Sequence, residues 1–212
     1  MIQFRDGFYA DVRTEDRSRT TITYKSGALE EMKTRVERRA FIRVYDGKMW
    51  YYSSVTDLAH LQKTLDGLYD AATPNADIQN DPVVRRFERN RDTLLSFADS
   101  SVRDIPSKDK QALLLSYLPL LSEDSCITMP RGTYLDRNSL FRFRSSLGAD
   151  ITYDYQTCGL SFSCDMTEGE KKFSGHWQKG ATRFDELKGL DDEIRAAMAE
   201  QTAFMRNSVP VT

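Results

Sequence analysis

Two histidines, three cysteines and a few paired carboxylates are the side chains of this chain best equipped for chemistry, and none stands in the pattern chemistry would need. His60 sits in a leucine-rich stretch and His176 adjoins Trp177. Neither belongs to a His-Glu-x-x-His run, which would turn two imidazoles onto one helix face around a metal. Isolated histidines of this kind are ordinarily structural or exposed. Cys158 and Cys164 are an even number of residues apart, hence on one face of an unbroken strand, and Cys126 is distant in sequence. An odd cysteine count without metal spacing fits a reducing compartment. Neither a Gly-x-Ser-x-Gly elbow nor a phosphate-cradling glycine loop occurs. Glu30-Glu31 and Asp191-Asp192 are adjacent, so their side chains diverge into solvent. Trp50-Tyr51-Tyr52 could line a ligand groove, although aromatic strand residues more often pack as core. Arg85, Arg86, Arg89 and Arg91 form a basic run with only Phe87 interleaved, which favours a solvated face over a nucleic-acid patch. No catalytic, cofactor-binding or metal-ligating residue is assigned.

Composition narrows the class. The chain has 212 residues, enough for one large domain or two small ones, with 40% hydrophobic and 29% charged residues. Lys+Arg 30 against Asp+Glu 32 gives a net charge of -2, without the basic excess a phosphate-backbone binder wants. There is no apolar run long enough to span a membrane, and the first residues lack the apolar core of a signal peptide. The expected location is the cytoplasm.

The elements that would have to position any site read as follows. Residues 8–13 and 20–24 look like strands, the latter with Thr20, Ile22 and Tyr24 on one face. Ser26-Gly27 turns the chain. Residues 29–36 read as a charged strand, though Glu30, Glu31, Met32 and Lys33 would also suit a helix. Ala40, Ile42 and Val44 alternate with polar and aromatic neighbours, Asp46-Gly47 is a hairpin turn, and residues 48–52 return. Ser54 and Asp57 resemble a helix opening, and Leu58, Leu61, Leu65 and Leu68 form its stripe, closed by Pro74. Pro106-Ser107 opens a second helix carried by Leu113, Leu114, Tyr117 and Leu118. Residues 125–129, the Phe141/Phe143 stretch, residues 151–156 and 160–165, and residues 172–177 read as strands, with turns at residues 145–148 and at Glu168-Gly169. Thr182 to Asp185 opens a last helix striped by Leu187, Leu190, Ile194 and Ala197 and stopped by Pro210.

The two halves repeat one plan: a Ser/Gly turn, a hairpin, a tryptophan strand, a hydroxyl-x-x-Asp helix opening and a leucine stripe. An antiparallel sheet has one face to bury, and an amphipathic helix is its natural cover. The expected class is therefore α+β, with two similar units, each a curved, mainly antiparallel sheet covered by an amphipathic helix. Residues 1–73 form the first unit, 74–106 a connector and 107–212 the second.

Tyr9-Ala10-Asp11-Val12-Arg13, the Ser26-Gly27 turn, Ile42-Arg43-Val44 ahead of Asp46-Gly47, the aromatic strand and the leucine-striped helix together resemble the N-terminal domain of the TldD/PmbA family, once called modulators of DNA gyrase. Lys108-Asp109-Lys110, Ser145-Ser146-Leu147-Gly148 and the closing helix before Val209-Pro210-Val211 extend the resemblance over nearly the whole chain. It rests on the order of patterns rather than on invariant motifs. It departs from the family in lacking a leading helix and in carrying bulkier residues at Ala40-Phe41-Ile42, where a glycine-rich strand is expected. The resemblance implies a zinc metallopeptidase that works as a homodimer or as a heterodimer with a related chain, cleaves short or unfolded peptides and matures peptide antibiotics. The family's zinc-binding His-Glu-x-x-x-His helix lies in the C-terminal domain, which would begin where this chain stops. The expectation is a non-catalytic N-terminal half that forms dimer contacts and the peptide channel, with no cofactor of its own and zinc held by the C-terminal domain. The alternative is a stand-alone protein- or peptide-binding module without catalysis.

Overall fold

A computed structural model describes residues 2–87 and 89–209. The fold is α+β and mainly antiparallel, with seven strands and three α-helices among the described residues. Strand β1 runs Tyr9–Lys25 and β2 Ala28–Tyr45. Each is one long strand where sequence reading gives two short ones. The polar residues that look like breaks are strand residues with cross-strand partners: Arg39 donates to Glu15 at 2.5 Å, Arg38 to Asp16 at 2.8 Å, and Arg17 to Glu37. Opposite charges facing each other across strands contribute about 0.2–1 kcal/mol a pair, enough to carry β structure through a stretch with no apolar alternation. Ser26 and Gly27, at φ 48° and 81°, make the tight turn between the two strands. Both positions lie in the left-handed region, as a two-residue turn matched to strand twist requires.

Strand β3, Trp50–Val55, pairs antiparallel with β2 from Tyr45↔Trp50 to Ala40↔Val55. The tip of this hairpin lies one residue later than the Asp46-Gly47 reading, because Asp46 and Met49 close it with a 3.3 Å backbone bond. The Asp46 carboxylate accepts the Lys48 and Met49 N–H groups, each at 2.8 Å. Ser54, expected to open the helix, is still in β3 opposite Phe41. Asp57 instead caps a 3-10 turn, Leu58–His60, that leads into α1, Leu61–Ala71. Leu61, Leu65 and Tyr69 are the buried stripe, whereas Leu58 and Leu68 are only partly covered.

Strand β4 is Arg91–Leu94, α2 is Ser107–Tyr117, and β5 and β6 are Ile127–Ser145 and Asp150–Glu168. Strand β7, Lys171–Ala181, pairs antiparallel with β6, and α3 is Asp191–Asn207. The separate strands expected at residues 125–129 and around Phe141 are parts of β5. The last helix starts later than Thr182: a 3-10 turn at Phe184–Leu187 is cut by Gly189 at φ 69°, and α3 begins beyond it with Asp191, Asp192 and Glu193 at its positive end. Leu187 and Leu190 are buried outside the helix, and the stripe within it is Ile194, Met198, Thr202 and Met205. The expected stop at Pro210 lies outside the described residues.

The sheet order is β3-β2-β1-β5-β6-β4, with β7 also on β6. The element order repeats: three strands, a 3-10 turn and a helix occur as β1 to α1 and again as β5 to α3. The contacts divide the chain into two units, one of residues 1–17, 36–98 and 139–155, the other of residues 18–35, 99–138 and 156–212. The units are thus drawn from interleaved stretches rather than from residues 1–73 and 107–212, because β1, β2, β5 and β6 each contribute one end to each unit. In the first unit, alternation along β1 feeds two clusters. Phe8, Ala10 and Val12 meet Ile42, Val44 and α1, while Tyr9 meets Tyr45, Ile78 and Val84. Ile78 and Val84 lie in the stretch read as a connector, so its first part is a packed cover. In the second unit, Ile22, Leu114, Tyr134, Leu160, Phe162, Leu187, Ile194 and Met198 share one core.

Candidate functional site

The first strand of each repeat carries the same three-residue device, Tyr-x-Asp. The two-residue period of a strand puts phenol and carboxylate on one face. On β1, Tyr9 donates to Asp11 at 3.0 Å, and Arg43 reaches the same carboxylate through Nη2 at 2.6 Å and Nε at 3.1 Å. Arg43 lies 4.8 Å over the Trp50 ring, and Tyr9 stacks on Phe87 at 4.4 Å. On β5, Tyr134 donates to Asp136 at 2.9 Å. Lys110 of α2 reaches that carboxylate at 2.6 Å, and the Thr20 N–H does so at 3.0 Å. The Lys110 and Asp136 side chains are 2% and 1% exposed. Burial, followed by the neighbouring aspartate, pushes both phenols well above the usual tyrosine range.

Each carboxylate oxygen of Asp11 and Asp136 has a donor, and among the described residues no buried side-chain nitrogen or oxygen lacks a partner. Each device ties the first strand of its repeat to a neighbouring element, Asp11 to Arg43 of β2 and Asp136 to Lys110 of α2 and Thr20 of β1. Sequence reading missed the pairing. Its signal was the recurrence of Tyr-x-Asp at residues 9–11 and 134–136, together with a lysine in the α2 stripe of Lys110, Leu114 and Tyr117.

The residues singled out from sequence are not brought together. His60 is exposed and bonded through Nδ1 to Asp57 at 2.9 Å, while His176 is exposed on β7 in the other unit. Cys126, Cys158 and Cys164 are buried free thiols in the second core, and burial pushes Cys158 up to about 12. Among the described residues no three His, Cys, Asp or Glu side chains gather for a metal. Trp50-Tyr51-Tyr52 form no common groove. Trp50 packs beside Tyr9, Tyr51 packs on the α1 side and donates to Asp46, and Tyr52 stands exposed against Phe41. Arg85, Arg86 and Arg89 are exposed, and Arg91 belongs to β4. Glu30 pairs with Arg131 at 2.8 Å.

What β2 does offer is backbone. Strand β3 pairs with it only from Ala40 onward, so residues 28–39 have β1 on one side and, among the described residues, no strand on the other. Every one of these residues is exposed, including Leu29 at 49%, Met32 at 43% and Val36 at 54%. A long edge with unpaired N–H and C=O groups is a template for another strand, and its charges discourage indiscriminate association.

The sequence model of PmbA/TldA metallopeptidase domain 1 matches residues 10–72. Over that stretch the sequence is similar to the first domain of PmbA/TldA metallopeptidases. The fold likeness extends further. A candidate modulator of a DNA gyrase from Thermotoga maritima superposes with a TM-score of 0.74 at 16% identity, over 97% of this chain and 46% of that one. A candidate modulator of DNA gyrase from Bacteroides thetaiotaomicron gives 0.68 at 17% identity, over 91% and 45%. TldE from Thermococcus kodakarensis gives 0.73 at 10% identity, over 96% and 46%. The chain therefore spans about half the length of these solved structures. No curated protein matches the sequence.

Proposed function

We propose that this chain is the non-catalytic N-terminal half of a TldD/PmbA-like zinc metallopeptidase, contributing dimer contacts and one wall of the channel that receives short or unfolded peptides. The observation that carries this reading is the open edge of β2. Backbone pairing along an edge is tolerant of sequence, which suits an enzyme that meets many extended peptides. Zinc and the acid–base chemistry belong to the rest of the parent protein. This chain's part is to hold a substrate extended.

The test is binding and turnover of one unstructured peptide by the chain alone. The peptide is expected to bind measurably by fluorescence anisotropy and to emerge uncleaved. The same peptide N-methylated at alternate residues is expected to lose binding, because methylation removes donors without changing charge. Equal binding of the methylated peptide, or hydrolysis that survives both chelation and His60→Ala/His176→Ala substitution, would overturn the reading. Binding without any downstream His-Glu helix in the reading frame would favour a stand-alone peptide-binding module.

A further inference from the structure

We propose that a groove at β4 and the start of β6 binds an oxyanion, either a carboxylate or a phosphate group, through Arg91, Arg142 and Arg144. The groove holds about 450 Å³ and is lined by Arg91, Asp92, Thr93, Arg142, Asp150 and Thr152, all in the first unit. Its register explains the convergence. β4 runs parallel to β6 with Arg91 opposite Asp150 and Thr93 opposite Thr152, so these four side chains share one face. Arg142 forks Asp150 through Nε at 2.8 Å and Nη2 at 2.7 Å, and Arg144, two residues along β5, lies on the same face.

The charges do not cancel. Arg91 and Arg142 line the groove with two carboxylates, Asp92 and Asp150, and Arg144 beside it adds a third positive charge that acts on Asp150. Asp150 is occupied by Arg142, and Asp92 turns back to accept the Thr93 N–H at 2.7 Å. Arg91 is held by Nε on the Gly148 carbonyl at 2.8 Å, with its Nη groups uncommitted among the described residues. Arg144 is half-buried and makes no hydrogen bond among the described residues. Burial and then the like charge of Arg142 hold its guanidinium below the usual value. The Asp150 carboxyl lies below the ordinary carboxylate range, first through the Arg142 fork and also through the charges of Arg144 and Arg91. One carboxylate thus feels all three arginines. Planar guanidinium forks match the oxygens of carboxylate and phosphate, and a second anion here would relieve the unbalanced charge.

The test follows the arginine Nε–H signals of the full chain by NMR at constant ionic strength. One arm adds inorganic phosphate. The other adds a short unstructured peptide with a free C-terminal carboxylate, alongside its C-terminal amide. Saturable shifts at Arg91, Arg142 and Arg144 are expected in at least one arm. Phosphate alone would identify a phosphate site, and the free-acid peptide alone a peptide-terminus site. Arg144→Gln should weaken binding about tenfold, the loss of one charge-assisted bond; should that variant not fold, exposed Arg142→Gln carries the comparison. Asp150→Asn should tighten binding by releasing Arg142. Linear, unsaturated shifts in both arms, equal binding of acid and amide peptides without phosphate binding, arginine variants that bind like the parent chain, or unchanged affinity in Asp150→Asn would each overturn the proposal.

Discussion

Lys110 is the residue whose role is sharpest. An ammonium and a carboxylate buried together cost desolvation, and replacing both by apolar groups is often neutral or stabilising, but removing one partner strands a charge. Lys110→Ala should therefore destabilise the chain by about 3–5 kcal/mol in urea unfolding, whereas Lys110→Met with Asp136→Leu should cost clearly less than Lys110→Ala. The thiols give a second residue-scale prediction. Burial raises Cys158 from 9.0 to about 12 and also raises Cys126 and Cys164. A folded pKa above the unfolded one means the folded state keeps its proton where the unfolded state loses it. The contribution is then fully present below pH 9 and lost as pH climbs toward about 12. Urea midpoints should fall over that window, and alkylation of Cys158 at pH 8 should be slow until the chain is unfolded.

At the scale of elements, helix α2 and the 3-10 turn after it press directly on β5. A Cβ at Gly132 would sit 2.6 Å from Leu118 Cδ2 and 2.9 Å from Phe162 Cε1. Gly132→Ala should cost about 1–3 kcal/mol through overpacking, measurable as a lower thermal midpoint. Gly27→Ala meets no atom within 4 Å and is limited to the strain of its positive φ. The elements also show what could be read beforehand. Turns at Ser26-Gly27 and at Gly169 and the apolar faces at Ile42/Val44 and Leu160/Phe162 were legible, because glycine tolerance and two-residue alternation are local properties. Strand lengths were not, since Glu15, Asp16 and Arg17 look like loop until their partners Arg39, Arg38 and Glu37 are known. Helix starts moved because Asp57 and Gly189, rather than Ser54 and Thr182, decide where helical geometry begins.

At the scale of the whole molecule, the class and the repeated order of elements followed from the sequence, but the interleaving did not. Nothing in residues 9–25 announces that one strand serves two cores; only the Tyr-x-Asp recurrence hints at it. The arginine groove is equally hidden, because the sequence groups Arg91 with the basic run at residues 85–91 and Arg91 lines one groove with Arg142 only through β4–β6 pairing. In the proposed function the chain contributes an edge rather than a reaction, and amide hydrogen exchange along β2 tests that most directly. Without peptide, residues 28–39 should exchange fast at alternate positions, those whose N–H points away from β1. With saturating unstructured peptide, those same alternate amides should slow, by about tenfold or more if a backbone bond forms. Unchanged exchange along this edge in a chain shown to have bound peptide would contradict the account.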